Sequence, residues 1–467
     1  MHLLLTHGYF LTEDAAEQRI MKPYPPLGLL YLSAYLKRAG HAVEVLDSTF
    51  LSREQFVARL AEAAPAVIGI YGTLMTRRNV LWVIARAREL GGTVVLGGPE
   101  PVNYAADYLA CGADVIVAGE GEETMAELLT ALARGGDGLD EVRGIVHRRK
   151  DGTIAHTPSR PQVRNLDALP FPDRESIDLE RYLTTWQMHH GVRSVSLITA
   201  RGCPYTCRWC SHSVYGMSHR RRSPANVVAE LEQIRARYDP NRVWYADDVF
   251  TINKRWLFEF AALLRERKLC FPFETISRED RLDERVVTTL AEMGCDRLWI
   301  GAESGSQSVL DKMDRRTDAV RMREMIRLLK KHGIRAGTFI MLGYEGEDWD
   351  DITATAEHLK EALPDDVLTT LAYPIKGTPY YDEVVDRLIE RKVWEEGSDR
   401  DLTVAGRHTR RFYTHAQKWI AGEIAVERLR RSDPRGATLD RIKHLAYAKA
   451  HRAAMYVTRH ATERRSS

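Results

Sequence analysis

The sequence predicts an α/β protein with two successive parallel sheets and a helical C-terminal region. Short apolar strands alternate with helical patterns over about residues 2–133, which is typical of a doubly wound, Rossmann-like sheet. A second alternation, over about residues 192–371, contains about six β/α units and predicts a partial (β/α)6 barrel. Beyond about residue 385 the chain is helical and basic.

The first predicted domain spans residues 1–135. Its expected strands are His2–Leu5, Val43–Leu46, Ala66–Tyr71, Thr93–Leu96 and Asp114–Ala118. Its expected helices are Leu27–Ala39, Arg53–Ala64, Val80–Leu90, Ala105–Cys111 and Glu122–Ala133. Ligands of such sheets bind beyond the carboxyl ends of the strands, and Gly97-Gly98 and Gly119-Glu120 lie at two of those ends. Glycines there allow a bulky ligand to approach the backbone, although each turn alone is equally typical of a tight strand-to-helix connection.

A connector is expected over residues 136–185. It contains a hairpin formed by Gly144–Arg149 and Thr153–His156, because Asp151-Gly152 is a strong turn signal. The proline-rich segment Leu169–Asp173 is expected to be extended, since each proline restricts its own φ. We therefore expect this segment to strap one domain to the next.

The barrel is expected over residues 186–385. Its strands are Val195–Thr199, Arg242–Tyr245, Pro272–Ile276, Arg297–Gly301, Arg335–Leu342 and Asp366–Leu371. Its helices are Pro224–Tyr238, Lys254–Arg267, Asp283–Met293, Ala319–His332 and Thr353–Ala362. Polar or glycine residues follow the strands, as in Asp247-Asp248, Arg278, Glu303 and Gly343. Any one of these is by default a solvated turn, but a row of them at strand ends predicts a site.

A cysteine cluster follows the first strand of the predicted barrel. Cys203, Cys207 and Cys210 form a C-x3-C-x2-C pattern. Three thiolates so close together can ligate three irons of a cubic 4Fe–4S cluster and leave the fourth iron open to bind a small molecule. The alternative is a structural zinc site, for which His212 would be the fourth ligand.

The cysteine spacing, with Trp209 just before the last cysteine, resembles the signature of radical S-adenosylmethionine (SAM) enzymes. Four segments that precede the cluster extend the resemblance to cobalamin-binding radical SAM enzymes over about residues 1–385. These segments are Lys22–Leu32, Gly97-Gly98-Pro99, Gly119-Glu120-Gly121-Glu122 and Asn165–Pro172. Methylthiotransferases and maturases with auxiliary clusters are disfavoured, because both need further cysteines that this chain lacks.

For the first domain the resemblance implies cobalamin binding. Gly97 and Gly98 match the glycine pair that lets the nucleotide tail lie against the sheet, and Gly119 and Glu120 belong to the same strand-end set. Gly72-Thr73-Leu74 stands where many relatives have Ser-x-Leu, so Thr73 and Leu74 are expected near the corrin. No D-x-H-x-x-G follows the first strand, which implies a lower cobalt face without a histidine ligand. A degenerate Rossmann-like domain that binds no corrinoid is the alternative.

For the barrel the resemblance implies SAM binding. SAM would chelate the open iron, and Asp247 and Asp248 stand where the family often has Gly-Gly-Glu, the motif that meets the SAM amino group. Glu303 matches the acidic residue that accepts hydrogen bonds from the ribose hydroxyls.

Three further residues complete the SAM site that the resemblance implies. Arg278 would pair with the SAM carboxylate through a charge-assisted bond, with a plain salt bridge as the alternative. Phe339–Leu342 with Gly343 resembles the adenine-binding strand, and Trp209 is expected to border the adenine.

The function implied is a C-methyltransferase that acts on an unactivated carbon of a small molecule, such as a natural-product or lipid-like compound. A 5′-deoxyadenosyl radical would remove hydrogen, and methylcobalamin would supply the methyl group. The electron would come from an external flavodoxin- or ferredoxin-type donor. One alternative is an oxidative cyclase or rearrangement enzyme resembling the anaerobic magnesium-protoporphyrin cyclase. The other is a non-enzymatic corrinoid or iron–sulfur carrier.

Composition excludes several other classes. The net charge of +2 argues against a nucleic-acid-binding body, and the six cysteines do not form a disulfide pattern. No apolar run is long enough to span a membrane, and no signal peptide is recognisable, so we expect a cytoplasmic enzyme. The basic C-terminal region, residues 386–467, is expected to be a solvated surface, with RNA or membrane contact as the alternative.

Overall fold

The computed structural model describes residues 1–433 and 438–464, so the C-terminal region expected at 386–467 lies partly outside the described residues. The described chain divides into two compact units. The first contains residues 1–204, 211–246 and 392–398, and the second contains residues 205–210, 247–391 and those from 399 onward. The domain bounds proposed above stay predictions.

The first unit begins with a seven-stranded sheet. Its strands are β1 (His2–His7), β2 (Ala42–Leu46), β3 (Val67–Tyr71), β4 (Thr93–Gly97), β5 (Val115–Val117), β6 (Ile145–Arg148) and β7 (Ile154–His156). The helices along the same stretch are α1 (Ala15–Ile20), α2 (Leu27–Arg38), α3 (Arg53–Ala63), α4 (Arg77–Glu89), α5 (Ala105–Ala110), α6 (Glu122–Ala133) and α7 (Leu179–His190).

The sheet order is β2-β1-β3-β4-β5-β6-β7, with β1 to β5 parallel and β6 and β7 antiparallel. Successive residues of each parallel strand pack into different cores. Leu4 and Ile68 belong to one buried cluster together with α3, α4 and α5, whereas Leu3, Leu5 and Val67 belong to another with α2 and α6. Both faces of the sheet are therefore covered, and the doubly wound fold is confirmed.

The hairpin expected in the connector forms, but it does not stand alone. β6 pairs antiparallel with β5, with Ile116 opposite Val146, so the hairpin extends the first sheet. An antiparallel strand at the edge of a parallel sheet is common in doubly wound folds. The remaining elements of the first unit are β8 (Ser194–Leu197), β9 (Ala200–Arg201), β10 (Arg220–Arg221), α8 (Pro224–Tyr238) and β11 (Arg242–Tyr245).

One short segment of the first unit comes from late in the chain. In residues 392–398, the Trp394 ring lies 4.9 Å from the Tyr108 ring and 5.7 Å from the Tyr104 ring. The main-chain oxygen of Trp394 accepts a hydrogen bond from Arg77 Nη1 at 3.3 Å. Arg77 is itself buried in an ion pair with Glu100. The segment thus closes the face of the sheet covered by α4 and α5.

The second unit carries the rest of the barrel and the C-terminal helices. Its helices are α9 (Lys254–Glu266), α10 (Glu284–Met293), α11 (Gln307–Lys312), α12 (Ala319–Lys331), α13 (Trp349–Ala362), α14 (Pro379–Val384), α15 (Arg410–Ser432) and α16 (Leu439–Thr458). Its strands are β12 (Phe273–Ser277), β13 (Cys295–Glu303), β14 (Arg335–Leu342), β15 (Asp366–Leu371), β16 (Leu388–Glu390) and β17 (Leu402–Val404).

Strands β12 to β15 are parallel in the order β15-β14-β13-β12, and helices intervene along the chain. Local sequence fixes the helix starts. Asp348 accepts from the main-chain N–H groups of Asp350 and Asp351, and the Asp351 side chain accepts from the main-chain N–H of Asp348, which is a capping box. With the parallel pair β8–β11 of the first unit, six parallel strands alternate with helices, and the predicted fold class is confirmed. In the described ranges, no helix is long and apolar enough to cross a bilayer.

Candidate active site and cofactor-binding residues

The carboxyl ends of four parallel strands meet at one edge of the second unit. Arg278 follows β12, Glu303 ends β13 and Gly343 follows β14. Because these strands are adjacent and parallel, the three residues emerge on the same edge, where barrel enzymes place their chemistry. The structure therefore brings together three of the residues that the sequence singled out.

Glu303 is held in an unfavourable backbone conformation. Its φ is +63°, and the pairing of β13 with β14 shifts register between Gly301 and Glu303. A bulge of this kind re-aims a side chain at the end of a strand, and left-handed backbone in a non-glycine residue stores strain at sites of function. A Cβ on Gly301 would lie 2.6 Å from Glu303 Oε1, so glycine makes room for the carboxylate. Burial raises the pKa of Glu303 to about 8, and Arg278 opposes that shift.

Cys207 is the buried cysteine of the cluster loop. Its Sγ lies 4.0 Å from Arg278 Nη1 and 4.0 Å from Arg315 Nη1. Burial raises the pKa of the thiol to about 11, while Arg278 acts in the opposite direction. Metal ligation requires the thiolate, and adjacent guanidinium groups favour it. This donor chemistry fits a thiolate ligand of an iron–sulfur cluster.

Hydrogen bonds and a ring contact within the second unit hold the Arg278 side chain in place. Its Nε donates to Asp280 Oδ1 at 3.0 Å, its Nη2 donates to the Arg315 main-chain oxygen at 2.9 Å, and its guanidinium stacks on the Tyr205 ring at 3.7 Å. These contacts orient Arg278 so that its Nη1 faces Cys207 Sγ. A contact of Arg278 with the SAM carboxylate stays a prediction.

Arg315 was missed by the sequence analysis. It follows the short helix α11, and its Nη2 donates to Gly301 O at 2.7 Å, so it ties the end of β13 to Cys207. No motif or spacing marks an arginine in such a turn. Only the folded chain shows its place beside the thiol.

Trp209 and Gly343 lie in the same part of the second unit. Trp209 packs on Tyr344, with 6.5 Å between the ring centres, and both Trp209 and Met341 border a buried apolar cluster that includes Tyr344 and Tyr380. Gly343 has φ +78°, and a Cβ there would lie 2.8 Å from Leu371 Cδ1. Glycine is thus required by backbone and packing alike. A contact of either residue with adenine stays a prediction.

The two aspartates after β11 differ in exposure. Asp247 is buried, whereas Asp248 is exposed. Their predicted role at the SAM amino group stays a prediction.

The loop of the cysteines is crossed by the division between the two units. Cys203, which is half-buried, belongs to the first unit, and Cys207 and the exposed Cys210 belong to the second. Within residues 1–433 and 438–464, no three or more His, Cys, Asp or Glu side chains are gathered closely enough to hold a metal ion. The ligand roles of the three cysteines therefore rest on their spacing and on the chemistry around Cys207.

A cavity of about 740 Å³ opens in the first unit at the carboxyl ends of β1 and β3. In the order β2-β1-β3-β4-β5, connections leave β1 and β3 in opposite directions, so this is the topological switch point where doubly wound sheets bind ligands. Tyr9, Tyr71, Thr73 and Met75 are among the residues that line it. The place and size of the cavity fit a large planar cofactor.

Thr73 lines this cavity, and its main-chain N–H donates to Thr76 Oγ1 at 3.1 Å. Leu74 is half-buried in the same turn but does not line the cavity. Gly72 replaces the serine of the Ser-x-Leu pattern for a steric reason. A Cβ on Gly72 would lie 2.9 Å from Pro101 Cγ.

His7 also borders the cavity, but its ring is occupied. Nε2 lies 2.9 Å from Asp47 Oδ1, and Nδ1 lies 3.1 Å from Ser48 Oγ. Both ring nitrogens are therefore engaged inside the domain. The expected absence of a histidine ligand on the lower cobalt face stays a prediction, with which this arrangement agrees.

The glycine pair at the end of β4 has two different tasks. Gly98 has φ +110°, and a Cβ there would lie 2.4 Å from Gly72 O, so the fold itself requires this glycine. A Cβ on Gly97 would meet only Val117 Cβ, at 3.9 Å. Gly97 therefore leaves an open surface at the strand end, which suits the close approach of a ligand.

Gly119 and Glu120 lie in the turn that follows β5. Gly119 has φ +86° and forms the turn. Glu120 is buried and accepts hydrogen bonds from Arg201 Nη1 at 2.7 Å and Arg220 Nη1 at 2.6 Å, while Glu122 accepts from Arg201 Nη2 at 2.6 Å. These ion pairs fasten the β9–β10 ribbon, which flanks the start of the cysteine loop, to the first sheet. A cofactor contact for Gly119 or Glu120 stays a prediction.

Comparison with protein families finds two matches in this chain. The model of the radical SAM superfamily matches residues 197–359, and the model of the B12 binding domain matches residues 19–129. The two matches together cover more than half of the chain. They coincide with the barrel region and with the doubly wound sheet.

Curated relatives cover most of the chain. An uncharacterized methyltransferase of Pyrococcus horikoshii is 27% identical over 407 residues, which are 85% of this chain and 86% of that protein. The anaerobic magnesium-protoporphyrin IX monomethyl ester cyclase of Rubrivivax gelatinosus is 27% identical over 399 residues, which are 83% of this chain and 71% of that protein.

A solved structure shows the same fold. The cobalamin-dependent SAM radical enzyme OxsB with aqua-cobalamin bound aligns with a TM-score of 0.74 and 18% identity, over 98% of this chain and 72% of that chain. The residues around Cys207 and the cavity at the carboxyl ends of β1 and β3 fit the 4Fe–4S cluster, SAM and cobalamin, the cofactors of the two matched domains. The chain is a radical SAM enzyme and belongs to the cobalamin-binding radical SAM superfamily.

Proposed function

We propose that the protein is a methylase that transfers a methyl group to an unactivated carbon of a small-molecule substrate. The observation that carries this proposal is the pairing in one chain of a radical SAM domain with a B12 binding domain that has a cavity at its switch point. A relative that spans most of this chain is named a methyltransferase.

Each predicted site residue has a place in this proposal. Cys203, Cys207 and Cys210 hold the cluster, and Arg278 and Arg315 offset part of the negative charge of the Cys207 thiolate when it ligates iron. Glu303 accepts hydrogen bonds from the ribose hydroxyls of SAM.

The remaining residues act in two groups. Asp247 and Asp248 receive the SAM amino group, while Gly343 and Trp209 border the adenine. In the first domain Thr73, Leu74, Gly97, Gly98, Gly119 and Glu120 surround the corrinoid and its tail.

When bound, the cofactors supply the hydrogen-abstracting radical and the methyl group. The chain supplies alignment and the exclusion of water. Burial raises the pKa of the Glu303 carboxyl to about 8. Hydrogen bonds from the ribose hydroxyls stabilise the charged form, so Glu303 becomes a carboxylate when SAM binds. The apolar cluster bordered by Trp209 and Met341 keeps water from the strand ends.

Oxidative cyclisation is the second candidate. It is favoured by the relative from Rubrivivax gelatinosus, which is named a cyclase and is as similar in sequence as the methyltransferase relative. Both reactions begin with reductive cleavage of SAM, so formation of 5′-deoxyadenosine alone does not separate them.

The deciding experiment follows the methyl group of SAM. Anaerobically reconstituted enzyme with hydroxocobalamin, methyl-labelled SAM and a flavodoxin or ferredoxin reducing system is analysed for labelled methylcobalamin and for label in small molecules added as a cell extract. A methylase is expected to label both. A cyclase forms 5′-deoxyadenosine and labels neither, and that result would reject the proposal.

The control is a pair of cysteine variants. Cys207→Ser should lose most of its iron, from about four per chain, and form no 5′-deoxyadenosine. Cys270→Ser changes an exposed cysteine outside the loop and should keep both. Equal iron in the two variants would remove Cys207 from the ligand set.

A further inference from the structure

A second cavity lies within the second unit, beside the strand ends but outside the set of residues described above. It encloses about 190 Å³ at the end of β15, between the loop after β17 and the first turn of α15. Four arginines line it, namely Arg391, Arg400, Arg407 and Arg410. We call it the arginine cavity. Hydroxyl groups of Thr369, Thr403 and Tyr413 complete much of its wall.

The charges of the arginine cavity are unbalanced. Two carboxylates line it, Asp401 and Glu463, and Glu463 is paired with Arg391. Arg407 donates to Ala372 O at 2.6 Å, to Gly343 O at 3.1 Å and to Thr403 Oγ1 at 3.0 Å, all of which are neutral oxygens. Among the residues that the structure describes, the arginines that line the cavity outnumber the carboxylates by four to two, which favours an anionic ligand.

Tyr413 gives an independent sign of a ligand. Its side chain is 1% exposed, it lines the cavity, and its hydroxyl has no hydrogen-bond partner among residues 1–433 and 438–464. Arg407 Nε in the same wall is also buried without a partner in the part of the chain that the structure describes. Buried polar atoms in native proteins are nearly always paired. Burial raises the pKa of Tyr413, so the hydroxyl keeps its proton and acts as a donor.

The start of α15 forms one wall of the arginine cavity. This helix has 23 residues, and its N-cap residue Thr409 makes no side-chain capping bond. Glu463 instead accepts from Arg410 N at 3.1 Å and so fixes the first turn against the C-terminal segment. The first turn of α15, which carries Arg410, is therefore fixed at the wall of the arginine cavity.

We propose that the arginine cavity binds a phosphoryl group, phosphate or phosphonate, of the substrate. Several guanidinium groups and hydroxyl donors around one small cavity match the three oxygens and double charge of a phosphoryl group, whereas a carboxylate is satisfied by one arginine fork. The name "substrate" for this ligand rests on the proposed function. Arg407 holds the main-chain oxygens of Gly343 and Ala372, so the cavity is fixed to the ends of β14 and β15, where substrate atoms are transformed in barrel enzymes.

Binding of inorganic phosphate and phenylphosphonate to the cofactor-loaded enzyme, measured by calorimetry, tests this assignment. Arg410→Gln removes a cavity cation that makes no ion pair within residues 1–433 and 438–464, and it should weaken phosphate binding about tenfold. Tyr413→Phe should weaken it severalfold while keeping the packing. Arg411→Gln changes an exposed neighbour on the same helix that does not line the cavity, and it should bind as the parent does.

The proposal is overturned if phosphate does not bind at millimolar concentration or if the Arg410 and Arg411 variants bind it equally. It is also overturned if phenylacetate binds as tightly as phenylphosphonate, or if saturating SAM displaces the phosphate. Thermal midpoints and iron contents of all variants identify any that fail to fold. Phosphate binding without methyl transfer would support this site and reject the proposed function. Methyl transfer without phosphate binding would support the proposed function and reject this site.

Discussion

Glu303 combines a strained backbone with an unfavourable charge. Its left-handed φ and its desolvated carboxyl both cost free energy in the protein without ligand. Two other buried carboxyls of the second unit share the electrostatic cost, since burial raises the pKa of Glu279 to about 7 and that of Glu347 to about 8. Such costs are retained where a ligand relieves them.

The raised pKa of Glu303 predicts a pH effect on stability. The native carboxyl keeps its proton up to about pH 8, whereas the unfolded one loses it near pH 4.5, so the free energy of unfolding falls as pH rises between these values. The slope is set by the difference in bound protons between the unfolded and native states, and Glu303→Gln should change that difference by about one. In cofactor-free protein the variant should melt higher than the parent at pH 8, by about 2–4 °C for each kcal/mol relieved.

The comparison at pH 4.5 supplies one control, because glutamine and protonated glutamate should then melt alike. Glu324→Gln, on an exposed face of α12, controls for the substitution itself. A parent and Glu303 variant with the same pH profile of melting would show that the carboxyl is already charged in the folded protein.

At the scale of single residues, some members of the sites can be predicted from the sequence and others are revealed only by the structure. The cysteines and Glu303 are predictable because their spacing and strand-end position are visible in the chain. Arg315 and Tyr413 are not, since each becomes noticeable only through a neighbour far away in sequence, Cys207 for the first and the four cavity arginines for the second.

The end of β4 shows how one element separates folding from binding. Gly98→Ala should cost about 1–3 kcal/mol or more, because φ is +110° and the new Cβ would overlap Gly72 O. Gly97→Ala should leave the melting temperature nearly unchanged, because its Cβ meets only Val117. The alanine methyl group would occupy part of the surface on which the cobalamin tail is proposed to lie. Gly97→Ala should therefore weaken cobalamin binding about tenfold.

Thermal denaturation of cofactor-free protein and retention of cobalamin after gel filtration check this pair. Gly152→Ala in the β6–β7 turn is a matched control for positive φ, because no atom lies within 4 Å of its Cβ position. If Gly97→Ala retains cobalamin as the parent does, the tail lies elsewhere.

Most elements could be predicted from periodicity, and the exceptions have physical reasons. The β6–β7 hairpin was expected from its Asp-Gly turn, but its pairing with β5 is a tertiary choice that local sequence does not encode. The two-residue strands β9 and β10 are too short for any period, and they exist because Arg201 and Arg220 are fastened to Glu120.

At the scale of the whole chain, residues 392–398 complete the core of the first unit. Trp394→Ala should remove the ring contacts to Tyr104 and Tyr108 and the cation–π contact to Arg77 at 5.0 Å. The expected loss is about 1.5–3 kcal/mol of stability in the first unit. Hydrogen exchange of α4 and α5, followed by mass spectrometry, measures it where it occurs.

Val393→Ala is the matched control, because Val393 precedes the tryptophan and is exposed. Faster exchange confined to α4, α5 and their strands is expected for Trp394→Ala alone. Unchanged exchange in these helices would mean that the segment rests on the first unit without stabilising it.

The late origin of this segment has a consequence for biogenesis. A nascent chain emerging from the ribosome lacks Trp394 until the barrel has been synthesised, and at about 5–20 residues per second the delay is on the order of ten seconds or more. During that interval the N-terminal half has an uncovered aromatic surface at Tyr104 and Tyr108. N-terminal fragments that end before residue 392 are therefore expected to expose this surface and to need chaperones.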